Sequence, residues 1–271
     1  MLTGKQLSLR KRNFNLLDRV KIEVKKGELL VIIGPNGAGK STLLSVLSNE
    51  QQADRGEIYF NDRKFKEWDN SDLAQYKAKF SQEFNSNIGL QTADIVMMGR
   101  YPYFDSKPKK KDFEIVEKMM KLTEIYPFRD RNYNQLSGGE KQRVHLTRVL
   151  VQLENENSNK LIFLDEPLNN LDVRHQRQIL NLIREFTENG NSAVLVLHDL
   201  SLTAEFADKI LLLKKGKVVA FGDTASIFRP ELISEAFDFH CEIFKNPINS
   251  RPMLIFGEKN DELEKLEMNR F

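Results

Sequence analysis

Gly34-Pro35-Asn36-Gly37-Ala38-Gly39-Lys40-Ser41 follows directly on the apolar run Leu29-Leu30-Val31-Ile32-Ile33 and leads into helical patterning over residues 41–48. The segment satisfies G-x-x-x-x-G-K-[ST], and strand, glycine-rich loop and helix arrive in the order that a phosphate-binding reading requires. Its glycines let the backbone curl so that successive N–H groups point at phosphate oxygens, and the helix that follows adds the positive end of its dipole. Lys40 is the side chain expected to reach the β- and γ-phosphates, and the Ser41 hydroxyl is a candidate Mg²⁺ ligand. A chance glycine-rich turn containing a lysine is the competing reading, and the flanking strand and helix argue against it.

Working outward, three more runs share the character of the first: Leu161-Ile162-Phe163-Leu164, Ala193-Val194-Leu195-Val196-Leu197 and Ile210-Leu211-Leu212-Leu213. Short runs of this kind, bounded by Gly, Asp or charged residues, are what strands buried on both faces of a parallel sheet look like. Helical patterns lie between them, at residues 173–188 and 202–207, so the chain reads as an α/β protein built from βαβ units. Val20-Lys21-Ile22-Glu23-Val24 alternates at period two, and with Gly56-Glu57-Ile58-Tyr59-Phe60 it predicts antiparallel strands with one wet face. From about residue 91 to 151 the strand signal gives way to helical spacing, as in Phe113-Glu114-Ile115-Val116-Glu117-Lys118-Met119-Met120-Lys121-Leu122, which predicts an inserted helical unit.

The run that ends Leu164-Asp165-Glu166 places two acids at the carboxyl edge of the sheet, where ligand sites of open α/β folds lie. Asp165 is the expected Mg²⁺ partner. Glu166, pointing the other way along the chain, is the candidate to orient or deprotonate an attacking water.

Composition narrows the rest. The 271 residues carry 41 Lys+Arg against 39 Asp+Glu, a net charge of +2, which lacks the basic excess of a chain whose main partner is nucleic acid. The single cysteine, Cys241, cannot form an intrachain disulfide and is expected to be a buried, inert thiol. Every apolar run is far short of the ~20 residues that cross a bilayer as a helix, and the first residues lack a signal-peptide pattern. The expectation is a chain that stays inside the cell. Lys107-Pro108-Lys109-Lys110-Lys111 reads as a solvated loop, and residues 257–271 as a frayed helix or disordered tail.

Leu136-Ser137-Gly138-Gly139-Glu140-Lys141-Gln142 resembles the signature sequence of the ATP-binding-cassette (ABC) family. With it, six motifs stand in that family's order. Gly34, Pro35, Asn36, Gly37, Ala38, Gly39, Lys40, Ser41 and Thr42 match Walker A, and Gln82 the Q-loop residue. Ser137, Gly138, Gly139 and Glu140 match the signature, Asp165 and Glu166 Walker B and the catalytic acid, Asp172 the D-loop, and His198 the switch histidine. The resemblance implies a P-loop NTPase (RecA-like) core with an antiparallel β-subdomain and an inserted helical signature subdomain. Residues 1–237 would form one ATPase domain, with 1–90 and 152–237 as β-subdomain plus core and 91–151 as helical subdomain; 238–271 would be a C-terminal extension.

The same resemblance implies ATP hydrolysis with Mg²⁺, the metal held by Ser41, Gln82 and Asp165, and catalysis by Glu166 with His198 and Gln82. It also implies that two copies pair head-to-tail, each ATP lying between Walker A of one and the signature of the other. Physically the signature then acts as a second phosphate-binding helix start. Asp172 would act across that interface, although Asn169 and Asn170 stand where the family usually has small residues. Family members often stack adenine on an aromatic; here the usual place falls on Lys11, Phe14 is the nearest aromatic and Arg12 could stack through its guanidinium plane, so the platform is unassigned.

Among cassettes, Met97-Met98-Gly99-Arg100-Tyr101-Pro102-Tyr103 is similar to the segment found in importers of haem, iron-siderophore complexes and cobalamin, while Arg148 to Leu153 with the polar insertion at residues 154–160, and the stretch Leu197 to Asp208, resemble the ATP-binding subunits of haem importers. Haem import is the first expectation, siderophore iron or cobalamin the second, and a soluble non-transport cassette the third. The implied partners are a second copy, an integral-membrane permease dimer and, indirectly, a periplasmic or surface substrate-binding protein, at the cytoplasmic face of the inner membrane.

Overall fold

The computed structural model describes residues 1–81 and 89–258; Gln82 and residues 259–271 lie outside the described residues. The strands are β1 (Leu2–Lys11), β2 (Phe14–Val24), β3 (Leu29–Ile33), β4 (Arg55–Phe60), β5 (Arg63–Lys64), β6 (Lys77–Phe80), β7 (Leu161–Asp165), β8 (Ser192–Val196), β9 (Lys209–Lys214), β10 (Lys217–Gly222), β11 (Cys241–Lys245) and β12 (Pro252–Phe256). The helices are α1 (Lys40–Leu47), α2 (Asn70–Tyr76), α3 (Thr92–Met97), α4 (Lys110–Leu122), α5 (Gly138–Leu153), α6 (Val173–Glu188), α7 (Leu200–Phe206), α8 (Thr224–Ile227) and α9 (Pro230–Phe237).

Among the described residues the central sheet has the order β10-β9-β3-β8-β7-β6, parallel from β9 to β6 with β10 antiparallel at one edge. The mixed α/β sheet is as expected. β3, β7 and β8 are buried along their whole length. Successive side chains on a strand point to opposite faces, and two separate cores result. Leu29, Val31 and Ile33 join Ile162, Leu164 and Leu195 on the face covered by α6; Leu30 and Ile32 join Leu161, Phe163 and Val194 on the face covered by α1. Each such side chain contributes roughly 1.5–3 kcal/mol on burial. Four of the six strands are the predicted apolar runs, with β8 starting one residue early at Ser192 and α7 two residues early at Leu200.

A second, antiparallel sheet with order β2-β1-β4-β5 lies over α1, its inward residues Leu2, Leu7, Val20, Ile22 and Val24 completing the second core. Its other face is wet, as the alternation predicts. Helices α3, α4 and α5 build a third core from Ile95, Val96, Ile115, Val116, Met120 and Val144. Helix α5 runs on to Leu153 and serves two cores, since Leu146, Val149 and Leu153 pack against the central sheet. The Lys107-to-Lys111 run is surface, with Lys107, Lys109, Lys110 and Lys111 exposed and the last two opening α4.

Two features escaped the sequence reading. β6, Lys77-Ala78-Lys79-Phe80, carries two lysines and no apolar run. The chain beyond α9 folds into the hairpin β11–β12, which packs on α7 and α9 and buries Cys241; burial pushes its thiol pKa up. No helix of the described residues is long and apolar enough to cross a membrane.

Arg100, within the Met97-to-Tyr103 segment, is buried beside Asp112 at the start of α4, with Nε donating to Oδ1 at 2.9 Å. Its Nη1 donates to the carbonyls of Val151 and Glu154 at the end of α5 (3.0 and 2.8 Å), and its guanidinium lies 3.7 Å from the Tyr103 ring centroid. Removing one partner of a buried pair strands the other charge, at a cost of about 3–5 kcal/mol. Asp112→Ala is therefore expected to lower the unfolding free energy by about 3 kcal/mol in urea titrations; an unchanged midpoint would show that the carbonyls alone satisfy Arg100.

Candidate functional site

Three neighbouring strands, β3, β8 and β7, end at one edge of the sheet. Ile32 pairs with Val196, and Val196 with Asp165, so the loops that follow them emerge side by side. After β3 comes the glycine loop. Gly34 has φ +148°, and a Cβ there would stand 2.0 Å from the Leu213 carbonyl oxygen, so the loop can leave β3 in this direction only as glycine. Gly39, φ +100°, is the N-cap of α1 and has no side chain with which to cap it, so the first N–H groups of the helix face the loop's concavity. The β9–β10 turn braces the loop from outside: Gly216 N–H donates to Ala38 O at 2.8 Å.

Lys40 is 6% exposed, its Nζ donating to the carbonyls of Gly34 (2.9 Å) and Pro35 (3.1 Å) inside the loop. Burial pushes its pKa down, opposed by the charges of Glu166 and Asp165. Ser41 Oγ donates to Asp165 Oδ1 at 3.0 Å across 124 residues of sequence. Burial raises the Asp165 pKa, while Ser41 and Lys79 counter it. A hydroxyl and a carboxylate side by side are hard oxygen donors, and among the described residues no cluster of three His, Cys, Asp or Glu could cage a metal. That pair suits Mg²⁺, which takes one or two protein oxygens and completes its shell with phosphate and water.

Glu166 sits just past β7 in the left-handed region, φ +50°, a turn that swings its side chain out of the strand's alternation. Oε1 lies 2.5 Å from His198 Nε2, and Oε2 accepts from Asn169 Nδ2 at 2.7 Å. Against the desolvation that would raise it, these bonds hold the Glu166 pKa below its ordinary value. His198 reaches it from beyond β8, immediately before the α7 N-cap Asp199. Lys40, Ser41, Asp165, Glu166 and His198 are thus brought together, and Gln82 lies outside the described residues.

An open cleft of about 670 Å³ runs over the loop, walled by residues 36–42, Glu166, Phe14, Asn15, Lys215 and Gly216. The signature residues and Asp172 are not in its walls. Ser137 caps α5 in a reciprocal box, its Oγ accepting from Glu140 N (3.3 Å) while Glu140 Oε2 accepts from Ser137 N (2.7 Å). The Glu140 carboxylate is engaged in holding the helix start, leaving Ser137 and Gly138 exposed beside it. Asp172 caps α6, accepting from His175 N at 2.9 Å.

The sequence names Phe14 as the nearest aromatic to the adenine position without assigning it, and does not mark Asn15 for the site. Phe14 begins β2, pairs with Lys11 across the two-residue turn at Arg12 and Asn13, and is 74% exposed at the cleft wall. An exposed aromatic at a strand end is the signal that could have marked it. Lys11, at the expected position, and Arg12 are not in the walls.

The fold and this site are those of a nucleotide-hydrolysing cassette, and comparison agrees: residues 17–169 match the family described as ABC transporter, and the chain belongs to that family. It is an ABC-type ATPase. The hemin import ATP-binding protein HmuV of Thermobifida fusca is 38% identical over 240 residues, covering 89% of this chain and 83% of that protein. HmuV of Pseudomonas fluorescens is 35% identical over 255 residues, covering 94% and 99%. Among solved structures, a metal-chelate-type ABC transporter in an inward-facing conformation superposes with TM-score 0.79 at 25% identity, covering 97% of this chain and 98% of that one. A dimeric ATP-binding cassette with ADP and phosphate gives 0.72 at 28% identity, covering 83% and 99%.

Stacking of a base on an aromatic side chain is worth about 1–3 kcal/mol by alanine substitution. Phe14→Ser is expected to weaken ATP binding about tenfold while leaving tripolyphosphate binding and the melting temperature unchanged; equal loss for both ligands would place the effect in the loop rather than at the base.

Proposed function

We propose that this chain is the ATP-hydrolysing subunit of a haem importer, working as a head-to-tail pair of copies bound beneath a membrane permease dimer. The observation that carries the hydrolytic part is the convergence of Lys40, Ser41–Asp165 and the Glu166–His198 pair at one sheet edge. The substrate rests on likeness along nearly the whole chain to hemin import ATP-binding proteins, at 38% and 35% identity. The chain would act at the cytoplasmic face of the membrane, drawing haem indirectly from a substrate-binding protein. Residues 1–237 would be the ATPase domain, with 91–151 its helical subdomain and 238–271 an extension.

In this mechanism the inward N–H groups of residues 34–42 and the α1 terminus hold the phosphates of ATP. Lys40, already desolvated, exchanges its loop carbonyls for β- and γ-phosphate oxygens. Ser41 and Asp165, with Gln82 as a third group, would hold Mg²⁺, whose charge would offset that of the phosphate oxygens. Glu166 orients the attacking water and accepts a proton from it, and His198, its Nε2 against Oε1, fixes the carboxylate beside the phosphate loop. Ser137, Gly138 and Gly139 of the second copy close over the γ-phosphate with the α5 terminus, which Glu140 stabilises, and Asp172 approaches across the same interface. ATP shifts the open-to-closed equilibrium by its preference for the closed pair, and hydrolysis removes that preference.

Glu166→Gln is expected to bind ATP normally, to lose roughly two or more orders of magnitude in turnover and to accumulate an ATP-bound dimer in light-scattering chromatography; wild-type turnover would remove Glu166 from the mechanism. For the substrate, the complex with permease and binding protein in liposomes is expected to raise its ATPase rate with haem and not with a ferric siderophore or cobalamin. Stimulation by the siderophore or cobalamin alone would reassign it.

A further inference from the structure

The turn between Asp165 and α6 is held more tightly than a strand-to-helix connection requires. Two of its residues, Glu166 (φ +50°) and Asn170 (φ +60°), sit in the left-handed region without being glycine. Such conformations persist where surrounding contacts over-determine them. The turn is held from β8, where Glu166 N–H donates to the Val196 carbonyl at 3.3 Å, from α6, where Gln176 Nε2 donates to the carbonyls of Leu168 (3.3 Å) and Leu171 (3.1 Å), and from the signature helix. Gln142 of α5 donates its Nε2 to the carbonyls of Glu166 (3.3 Å) and Pro167 (3.0 Å). The Asn170 carbonyl approaches Gly139 so closely that a Cβ there would stand 2.7 Å from its oxygen. Further along, His175 Nδ1 lies 2.9 Å from Asp172, and its neighbour Arg174 pairs with Glu124 beyond α4 at 2.6 Å.

Within this turn one side chain faces the catalytic acid. Asn169 Nδ2 donates to Glu166 Oε2, while His198 holds Oε1 from the opposite side. The terminal torsion of a glutamate is broad, so one hydrogen bond leaves the carboxylate plane free to turn. Two bonds, one to each oxygen, fix the plane and hence the direction in which the remaining lone pairs can receive a proton. The price in basicity is accepted for orientation.

We propose that Asn169 is a positioning residue for Glu166: its amide, carried on a turn braced by Gln142 and Gly139 of the signature helix, sets the plane of the catalytic carboxylate. The inference rests on the proposed hydrolytic role of Glu166 and extends it. It gives a use to the asparagine that replaces the small residue common at this place. It also links the two halves of the cycle, because the helix start that closes over the partner copy's ATP steadies the turn that aims this chain's own acid.

The test uses the full-length chain with its permease. Asn169→Ala removes the donor and Asn169→Asp keeps the shape but turns an acceptor toward Glu166. Asn169 is only partly buried, so both variants are expected to fold. Asn169→Ala should lower kcat about tenfold, equivalent to ~1.4 kcal/mol in the barrier, and Asn169→Asp should lower it further. KM for ATP should stay within about twofold, and Asn169→Ala combined with Glu166→Gln should form the same ATP-bound dimer as Glu166→Gln alone. Wild-type kcat in Asn169→Ala overturns the inference. So does a fall in kcat matched by weaker ATP binding, or loss of the trapped dimer, since either places Asn169 in binding or in the interface. Undiminished turnover in Glu166→Gln alone would instead strike the mechanism beneath it.

Discussion

The parallel register of β3, β8 and β7 is the constraint on which the site depends. It lines up Ile32, Val196 and Asp165, so that a phosphate loop, a histidine and two acids far apart in sequence leave the sheet together. In a sheet buried on both faces, apolar alternation does not choose one register over another, because every residue is apolar. Polar side chains at the opposite edge do. Asp208 accepts from the Leu29 N–H at 2.8 Å while paired with Arg184, Asn191 accepts from the Lys160 N–H at 3.0 Å, and Ser192 donates to the Lys25 carbonyl at 2.8 Å. A slip of one residue would break all of these at once, leaving buried polar groups without partners. The amino edge is locked by such bonds, and the carboxyl edge is left for chemistry.

At that carboxyl edge two adjacent carboxylates are driven apart. Asp165 lies within the sheet, where desolvation raises its pKa; Glu166, turned outward by one left-handed residue, has bonds to His198 and Asn169 that keep it low. Paired acids whose surroundings differ in this way are suited to different tasks. A single backbone conformation therefore separates a group suited to sharing a cation with Ser41 from a group suited to handling water. Lys40 is coupled to both, its charge opposed by burial and supported by the two acids.

The parts of this arrangement that rest on local patterning were legible in the sequence. β3, β7, β8 and β9 show as apolar runs because both faces are buried, and the glycine loop shows because its backbone needs glycine. β6 does not, since an edge strand pairs on one side only and tolerates Lys77 and Lys79 reaching out to Ser48, Ser45 and Glu50. The β11–β12 hairpin does not because half of it faces solvent, with Phe244 and Ile255 exposed. In the site, Ser41 and Asp165 could be paired from their motifs, whereas the bonds from Asn169 and Gln142 depend on how a turn is folded and leave no periodic trace. Phe14 lies between: its residue type is visible, and only the position of the β1–β2 turn beside the loop puts it at the cleft.

Helix α5 is what joins the helical region to this site. Val144 and Val151 belong to the core it shares with α3 and α4, Leu146, Val149 and Leu153 to the core beneath the sheet. Between the two apolar stripes runs a buried polar seam: Arg143 donates to the carbonyls of Thr123 and Glu124, and Thr147 bonds both Thr123 and the Arg143 carbonyl. A helix gripped in this way cannot easily bend or slide on one neighbour alone, because close-packed interiors transmit displacement rather than absorb it. A force applied to the helical region would move α5 as a rod, and the first groups at its end to feel it are Gln142 and Gly139, against the turn that carries Glu166. The geometry thus connects the helical region to the carboxylate at the sheet edge by one rigid element and the contacts that Gln142 and Gly139 make with the turn.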